Sequence, residues 1–376
     1  MTFAQPCLFE ETREENPEFL KSQLITYIGN KRSLLPFIEA GIRHAKTKLS
    51  QPRIDFLDLF SGSGVVSRMA RQHSRSLHCN DLELYSYMLN SCYQTNATDV
   101  DTEALTKELN RVKKAIEKKL APGFIAELYA PENDDDIQPG ERVFYTRRNA
   151  IFLDTFCRVL STVPDYLQKF ILAPVLAQAS MYANTSGVFK GFYKNKKGIG
   201  EFGGTGKNAL TRIKREIEVQ APIFSNFTCD VKLHNKDANA LVRDLEPVDV
   251  AYFDPPYNQH PYGSNYFMLN LLCHYQRPTE ISNVSGIPSD WKRSLYNKAQ
   301  QANAALFDAV ENVNAKFVII SYNSEGFISH EEFLSKLVNL GDVSVMDTKY
   351  NTFRGCRNLF GRDLHVTEFL YLVDKR

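Results

Sequence analysis

Asp254-Pro255-Pro256-Tyr257 is the segment whose residue types are best suited to chemistry. It follows the apolar run Val248-Asp249-Val250-Ala251-Tyr252-Phe253 without a gap, and that run reads as a buried strand. Two consecutive prolines fix the backbone and remove two N–H donors, leaving free carbonyls. The Asp254 carboxylate and the Pro255 carbonyl then form an acceptor pair matched to an –NH2 group, and the Tyr257 ring offers a face on which a flat base can stack. The alternative is a proline-rich turn led by an acid, which many α/β proteins contain.

A second cluster lies nearer the N-terminus. The run Ile54-Asp55-Phe56-Leu57-Asp58-Leu59-Phe60 leads into Ser61-Gly62-Ser63-Gly64, and Val65, Val66, Met69 and Ala70 then suit a helix. Strand, glycine turn and helix in that order open a doubly wound α/β unit. The glycine spacing is not GxGxxG and no Lys-Ser/Thr follows, so neither a dehydrogenase nor a P-loop fingerprint is met. Such a turn can approach a small polar ligand closely, or it can bind nothing. Asp81 ends the next strand, Leu77-His78-Cys79-Asn80, near the spacing at which an acid hydrogen-bonds ribose hydroxyls. It can equally cap the helix that follows.

The elements that must position these residues alternate as in an α/β protein. Leu34, Leu35, Ile38, Ile42 and Ala45 recur at helical spacing, residues 86–130 and 148–182 read as helices, and residues 131–140 read as a loop. Strand patterns return at 231–234, 248–253 and 316–321, with a β pair at 343–347 and 365–373. Tyr266-Phe267 and Leu269–Leu271 read as a packing helix. Residues 1–22 carry Glu10, Glu11, Arg13, Glu14 and Glu15 and read as a mobile or loosely docked arm. Between Ser186 and Arg215 there are eight Lys and Arg, against the one acid Glu201, and seven of the 19 glycines.

At 376 residues the chain is too long for one minimal core, which predicts a large domain plus a second lobe or insertion. Lys+Arg 45 against Asp+Glu 44 gives a net charge of +1, so a nucleic-acid surface has to be local. No apolar run approaches the roughly 20 residues of a membrane span, and Met1–Pro6 lacks the regions of a signal peptide. The seven cysteines contain no CxxC pair, which fits reduced thiols in a cytoplasmic protein and predicts neither a disulfide framework nor a metal site.

Together these residues resemble the S-adenosylmethionine-dependent DNA adenine-N6 methyltransferases of the Dam/DpnM type, in the alpha arrangement. Phe56–Gly64 looks like that family's first cofactor motif, Asp81 falls where its ribose-binding acid sits, and Asp254-Pro255-Pro256-Tyr257 looks like its catalytic tetrapeptide. Tyr27-Ile28-Gly29-Asn30-Lys31-Arg32 resembles the segment that precedes the first motif and contacts the cofactor's methionine end, with Asn30 where Dam has glycine. Asp237 matches the acid near the cofactor's adenine, Ser321-Tyr322-Asn323 follows a strand as a later motif does, and Tyr350–Gly355 occupies the place of a loop that holds the target base.

The resemblance implies a Rossmann-like methyltransferase sheet, formed by residues 23–96 and 230–376, and a mostly helical target-recognition insertion over 97–229. It implies methyl transfer to adenine N6 in duplex DNA after base flipping, with Asp254, Pro255, Pro256 and Tyr257 catalytic. Tyr27, Lys31, Asp58, Phe60, Gly62, Gly64, Asp81, Asp237 and Asp254 are the expected cofactor residues. Lys190, Lys194, Lys196, Lys197, Lys207 and Arg212 are expected to neutralise DNA phosphates, with Phe189, Phe192, Tyr193 and Phe202 to wedge or stack where the base leaves. The alternative for that stretch is a disordered surface loop. Arg277–Ala302, with the only Trp, Trp291, is a candidate second recognition element. A cognate restriction endonuclease is a further expected partner, and no oligomeric state is assigned. The competing functions are an RNA methyltransferase acting on guanine N2 or adenine N6, cytosine-N4 methylation, and a non-catalytic nucleic-acid-binding protein on the same fold.

Overall fold

The computed structural model describes residues 14–351 and 365–376. Its seven strands are β1 (Ile54–Asp58), β2 (Ser74–Asn80), β3 (Asp230–His234), β4 (Val248–Phe253), β5 (Ala315–Asn323), β6 (Asp342–Asn351) and β7 (His365–Asp374). They form one sheet in the order β3-β2-β1-β4-β5-β7-β6. The first five in that order run parallel, and β7 is antiparallel to both of its neighbours. β4 is buried along its whole length, as its apolar residues require of a central strand covered on both faces, and its one acid, Asp249, is paired with Arg75 and Lys316. Ser321, Tyr322 and Asn323, expected just after a strand, are the last three residues of β5. Thr352–Gly355 of the expected base-holding loop lie outside the described residues.

Side chains alternate between the two faces of the sheet. On one face Phe56, Val250 and Ile319 meet Ile38 and Ile42 of α2 (Leu35–Leu49) and Val66 and Met69 of α3 (Val65–Ala70). On the other, Leu57, Ala251 and Val318 meet Leu241, Leu306 and Phe333 of α10 (Ala238–Asp244), α13 (Ala299–Asn312) and α14 (His330–Leu337).

A third core belongs to a helical lobe. It packs α5 (Thr102–Lys118), α6 (Phe124–Tyr129), α7 (Arg147–Leu160) and α8 (Asp165–Met181) together. α5 buries one stripe, Leu105, Leu109, Val112 and Ile116, whereas α8 is buried continuously from Phe170 to Ser180 and forms the centre of the lobe. The lobe is not confined to residues 97–229. Leu89 and Tyr93 of α4 (Leu84–Tyr93) and Leu269 and Leu272 of α12 (Phe267–His274) belong to the same core. The short helices α9 (Leu210–Ile213) and α11 (Tyr262–Asn265) complete the set. Among the described residues no helix is long and apolar enough to cross a membrane.

The described part of the expected N-terminal arm is docked. α1 (Pro17–Lys21) is capped by Asn16 and buries Phe19 in the helical core. Arg68, on α3, is itself buried and donates to the carbonyls of Phe19 at 2.7 Å and Ser22 at 3.0 Å, while its guanidinium stacks 3.7 Å from the Tyr93 ring centroid. One aromatic anchor and one buried guanidinium outweigh the charges that made the segment read as mobile. Phe19→Ala is therefore expected to destabilise the protein by about 3–5 kcal/mol in urea unfolding. A loosely docked arm would leave the midpoint unchanged.

Candidate active site

The glycine turn follows β1 directly and needs glycine at two positions. Gly62 has φ +51° and Gly64 φ +77°, left-handed values that disfavour side chains. A Cβ on Gly62 would stand 2.8 Å from Tyr27 Cε1, and one on Gly64 would stand 2.7 Å from Asn90 Oδ1. Gly62 thus faces the open cleft beyond the strand ends, while Gly64 faces the helical lobe and only opens α3. Asp81, at the end of β2, accepts the N–H groups of Gly62 at 2.7 Å and Glu83 at 2.8 Å. It therefore ties the turn to the next strand and supports the start of α4, while still lining the cleft. Burial raises its carboxyl above the ordinary value, against the pull of those two N–H groups.

That cleft encloses about 870 Å³, part of it open to solvent, beyond the carboxyl ends of β1, β2, β3 and β4. This is where a doubly wound sheet reverses its strand order and binds ligands. Tyr27, Lys31, Asp58, Phe60, Gly62, Asp81, Asp237 and Asp254 all line it. Asp58 is buried, its Oδ2 takes the Ser67 hydroxyl at 2.5 Å, and its Oδ1 has no hydrogen-bond partner among the described residues. Burial pushes its carboxyl up to about 7. Asp237 is exposed and caps α10 through the Ala240 N–H at 3.1 Å. The Phe60 ring meets Tyr296 edge-on at 4.9 Å, and both line the cleft together with Asp237.

Asp254 follows β4 and is only 18% exposed. The Lys31 ammonium lies 3.0 Å from Asp254 Oδ1 and 3.0 Å from Glu368 Oε1, and Lys31 is 3% exposed. Lys31 is therefore not a solvated helix start, whereas Arg32 beside it is exposed. Burial pushes the Asp254 carboxyl up to about 6, with Lys31 pulling it down and Glu368 pushing it up. Tyr257 stands outside the cleft lining, edge-on to Tyr322 at 5.7 Å, with the Lys31 ammonium 5.4 Å from its ring centroid. The Tyr27 ring stacks against those of Tyr262 at 4.9 Å and Tyr266 at 4.8 Å, and these two also stack on each other at 6.0 Å, so the three form a cluster. Those two hydroxyls also fix Ile28: Tyr266 accepts its N–H at 2.7 Å and Tyr262 donates to its carbonyl at 3.1 Å. Tyr266, expected only to pack, thus also shapes the cleft.

A model of the D12 class N6 adenine-specific DNA methyltransferases matches residues 27–335. The chain belongs to this family. It is similar along 93% of its length to the Type II methyltransferase M.CviAII of Paramecium bursaria Chlorella virus 1, 29% identical over 355 residues and 98% of that protein. It is likewise similar to the Type II methyltransferase M.NlaIII of Neisseria lactamica, 24% identical over 361 residues, covering 93% of this chain and 99% of that one. The Type II methyltransferase M.FokI of Planomicrobium okeanokoites is 26% identical over 362 residues, which are 93% of this chain and 52% of that longer protein. The family match makes the chain an adenine-specific DNA methyltransferase that needs a methyl donor, and it favours neither the RNA substrate nor the non-catalytic binding protein.

In this D12 methyltransferase specific backbone contacts hold the basic stretch against the helical lobe. Lys194 bridges Gly200 as an isolated antiparallel pair, and Asn184 anchors the stretch through the carbonyl of Glu201 at 3.2 Å and the N–H of Gly203 at 2.9 Å. Lys190, Lys196 and Lys197 are exposed. Lys194 lies over the Phe192 ring at 5.0 Å, and Lys207 pairs with Glu201 at 2.6 Å. Arg212 is a correction: its guanidinium turns inward to the carbonyls of Met181, Ala183 and Thr185 and so is not offered to a phosphate. Phe189 and Phe202 are buried in cores, not poised as wedges. Within Arg277–Ala302, Lys292, Ser294, Tyr296 and Asn297 wall the cleft, so this segment is part of the site as well as a neighbour of it.

Sequence reasoning missed Glu368, Tyr262 and Tyr296. The signal for Glu368 was an acid inside the apolar run Val366–Val373, and for Tyr262 an aromatic one helical turn before Tyr266. The buried Asp58 carboxylate has a consequence for stability. Its folded value of about 7 lies above the ordinary 3.8. Ionising it therefore penalises the fold, with the penalty absent below about pH 4 and complete above about pH 7. Asp58→Asn is expected to be about 2–4 kcal/mol more stable than wild type at about pH 8, with the gain fading toward about pH 4. Urea unfolding at the two pH values measures it, and a gain independent of pH would refute it.

Proposed function

We propose that the cleft binds S-adenosylmethionine and that Asp254-Pro255-Pro256-Tyr257 receives the N6 amine of an adenine flipped out of duplex DNA. The observation that carries this reading is the placement of Asp254 beside the glycine turn, in one cleft with Asp81 and Asp237. The chemistry of the donor set fits that molecule. Asp81 suits a ribose diol, the aromatic wall at Phe60 with Asp237 suits adenine and its amino group, and the unpartnered Oδ1 of Asp58 suits an ammonium. Tyr27 closes the wall near Gly62, and Lys31 links this end of the cleft to Asp254. When bound, S-adenosylmethionine supplies a methyl group on a sulfonium, open to in-line displacement by nitrogen.

The protein's own task is to hold the amine. An aromatic amine is a poor nucleophile because its lone pair is conjugated with the ring. Hydrogen bonds from the amine to the Asp254 carboxylate and the Pro255 carbonyl concentrate electron density on nitrogen and bias it toward a tetrahedral shape. Such fixed acceptors act where charge develops and need no reorganisation. Asp254 must be ionised but need not be a general base, because the proton can leave after transfer. Tyr257, beyond Asp254, is the residue we assign to stack on the base. The exposed Lys190, Lys196 and Lys197, with Lys194, supply the basic face for phosphates. The similarity to proteins named Type II methyltransferases supports a cognate restriction endonuclease whose site this enzyme protects.

Asp254→Ala is expected to abolish methyl transfer to duplex DNA while weakening donor binding only partly. Labelled-methyl incorporation and calorimetry measure the two, and wild-type-like turnover would sink the assignment. Replacing Lys194, Lys196 and Lys197 together by Gln is expected to lower the slope of log affinity against log salt by about 2–3. An unchanged slope would remove this face from the DNA interface.

A further inference from the structure

We propose that Glu368 is a positioning residue for methyl transfer, acting through Lys31 to fix which oxygen of Asp254 faces the amine. The inference rests on the reading of Asp254 as the amine's acceptor. Glu368 lies on β7, an interior strand, opposite Asn323 of β5 and Thr348 of β6. It is 0% exposed. A buried carboxylate in the middle of a sheet is expensive and persists only where it is paired and hydrogen-bonded. Glu368 Oε1 takes both the Lys31 ammonium and the Ser321 hydroxyl.

The Lys31 ammonium forms ion pairs, each at 3.0 Å, with Glu368 Oε1 on β7 and with Asp254 Oδ1 after β4. Lys31 is therefore pinned between two strands, and it occupies Oδ1 while leaving Oδ2 to accept from the amine. The trio carries two carboxylates against one ammonium. Sharing the cation with Glu368 keeps Asp254 electron-rich, whereas a neutral residue at 368 would turn the whole cation onto Asp254 and free one of its two anchors.

The other acid facing Asp254 is Asp58. The phenols of Tyr252, Tyr257, Tyr262 and Tyr350 also face Asp254, and burial raises each of them, so they stay neutral. Removing the charge of Glu368 therefore has one direction of effect: Asp254 loses a like-charged neighbour and gains a larger share of Lys31. Both changes let it give up its proton at lower pH.

The test is single-turnover transfer from S-adenosylmethionine to duplex DNA across the acid range, with the full-length wild type, E368Q, E368D and D254A, alongside calorimetric donor affinity. In wild type the rate should fall as pH drops through about 6, where Asp254 protonates. E368Q, nearly isosteric, should transfer about 10- to 100-fold more slowly at neutral pH. Its donor affinity should be unchanged and its acid limb shifted to lower pH. E368D, which keeps the charge one methylene short, should recover part of the rate and the wild-type limb. A wild-type rate and limb in E368Q, with D254A inactive, overturn the role of Glu368 alone. So does a rate lost together with donor binding while the limb stays in place, which marks Glu368 as structural. Wild-type-like turnover by D254A overturns the acceptor reading and this inference with it.

Discussion

Leu59 donates its N–H to the Tyr252 carbonyl at 3.1 Å, just past the paired residues Asp58 and Tyr252 of β1 and β4. That parallel register fixes how far the glycine turn stands from Asp254. Both segments leave the sheet at the same end and on adjacent strands, although nearly half of the chain separates them in sequence. β1 continues outward through β2 and β3, and β4 continues the other way through β5. The crevice is a consequence of that reversal and needs no special loop to open it. Any change that slipped β4 by one residue would exchange its two faces and carry Asp254 away from the turn.

The cleft is assembled against the preference of its own charges. Asp58, Lys31, Asp254 and Glu368 are all largely buried, and burial raises Asp58 and Asp254 toward neutrality. The fold offsets this with apolar cores, the two on the faces of the sheet lying directly behind the site. Charge held in a dry site acts more strongly than in water, which suits a reaction that moves positive charge from sulfur to nitrogen. Stability is thus lowered where function needs a field, and restored where side chains only have to pack.

The parts of this arrangement that were legible in the sequence are those whose chemistry is local. The apolar run before Asp254 and the turn after Phe60 each fit within a dozen residues, and a strand end or a left-handed glycine leaves a local trace. Glu368 leaves none beyond an acid in an apolar strand, because its meaning lies in a lysine on another element. The expectation for Arg212 failed for the same reason, and Arg68 went unnoticed. Both look like surface charges, yet their guanidinium groups satisfy carbonyls of distant segments. Counting charges locates a basic stretch but does not show which side chains face out: Lys196 does and Arg212 does not.

The same residues explain why the basic stretch need not be flexible to serve the cleft. Phe189, beside Lys190, donates its backbone N–H to the Asn265 carbonyl at 2.7 Å, in the short helix α11 that also carries Tyr262. Its ring meets Phe267 at 6.2 Å, and the adjacent Tyr266 stacks on Tyr27 at the cleft wall. Tyr266 is in turn tilted against Tyr85 of α4 at 5.7 Å. Two ring clusters, joined through the adjacent backbone of Tyr266 and Phe267, therefore link Phe189 at the start of the basic stretch to Tyr27 at the cleft wall. Aromatic packing of this kind has few soft degrees of freedom, so the cleft wall and Phe189 are held by one core. The cleft then needs little motion of its own, and the larger movement in transfer falls on the base that leaves the stack.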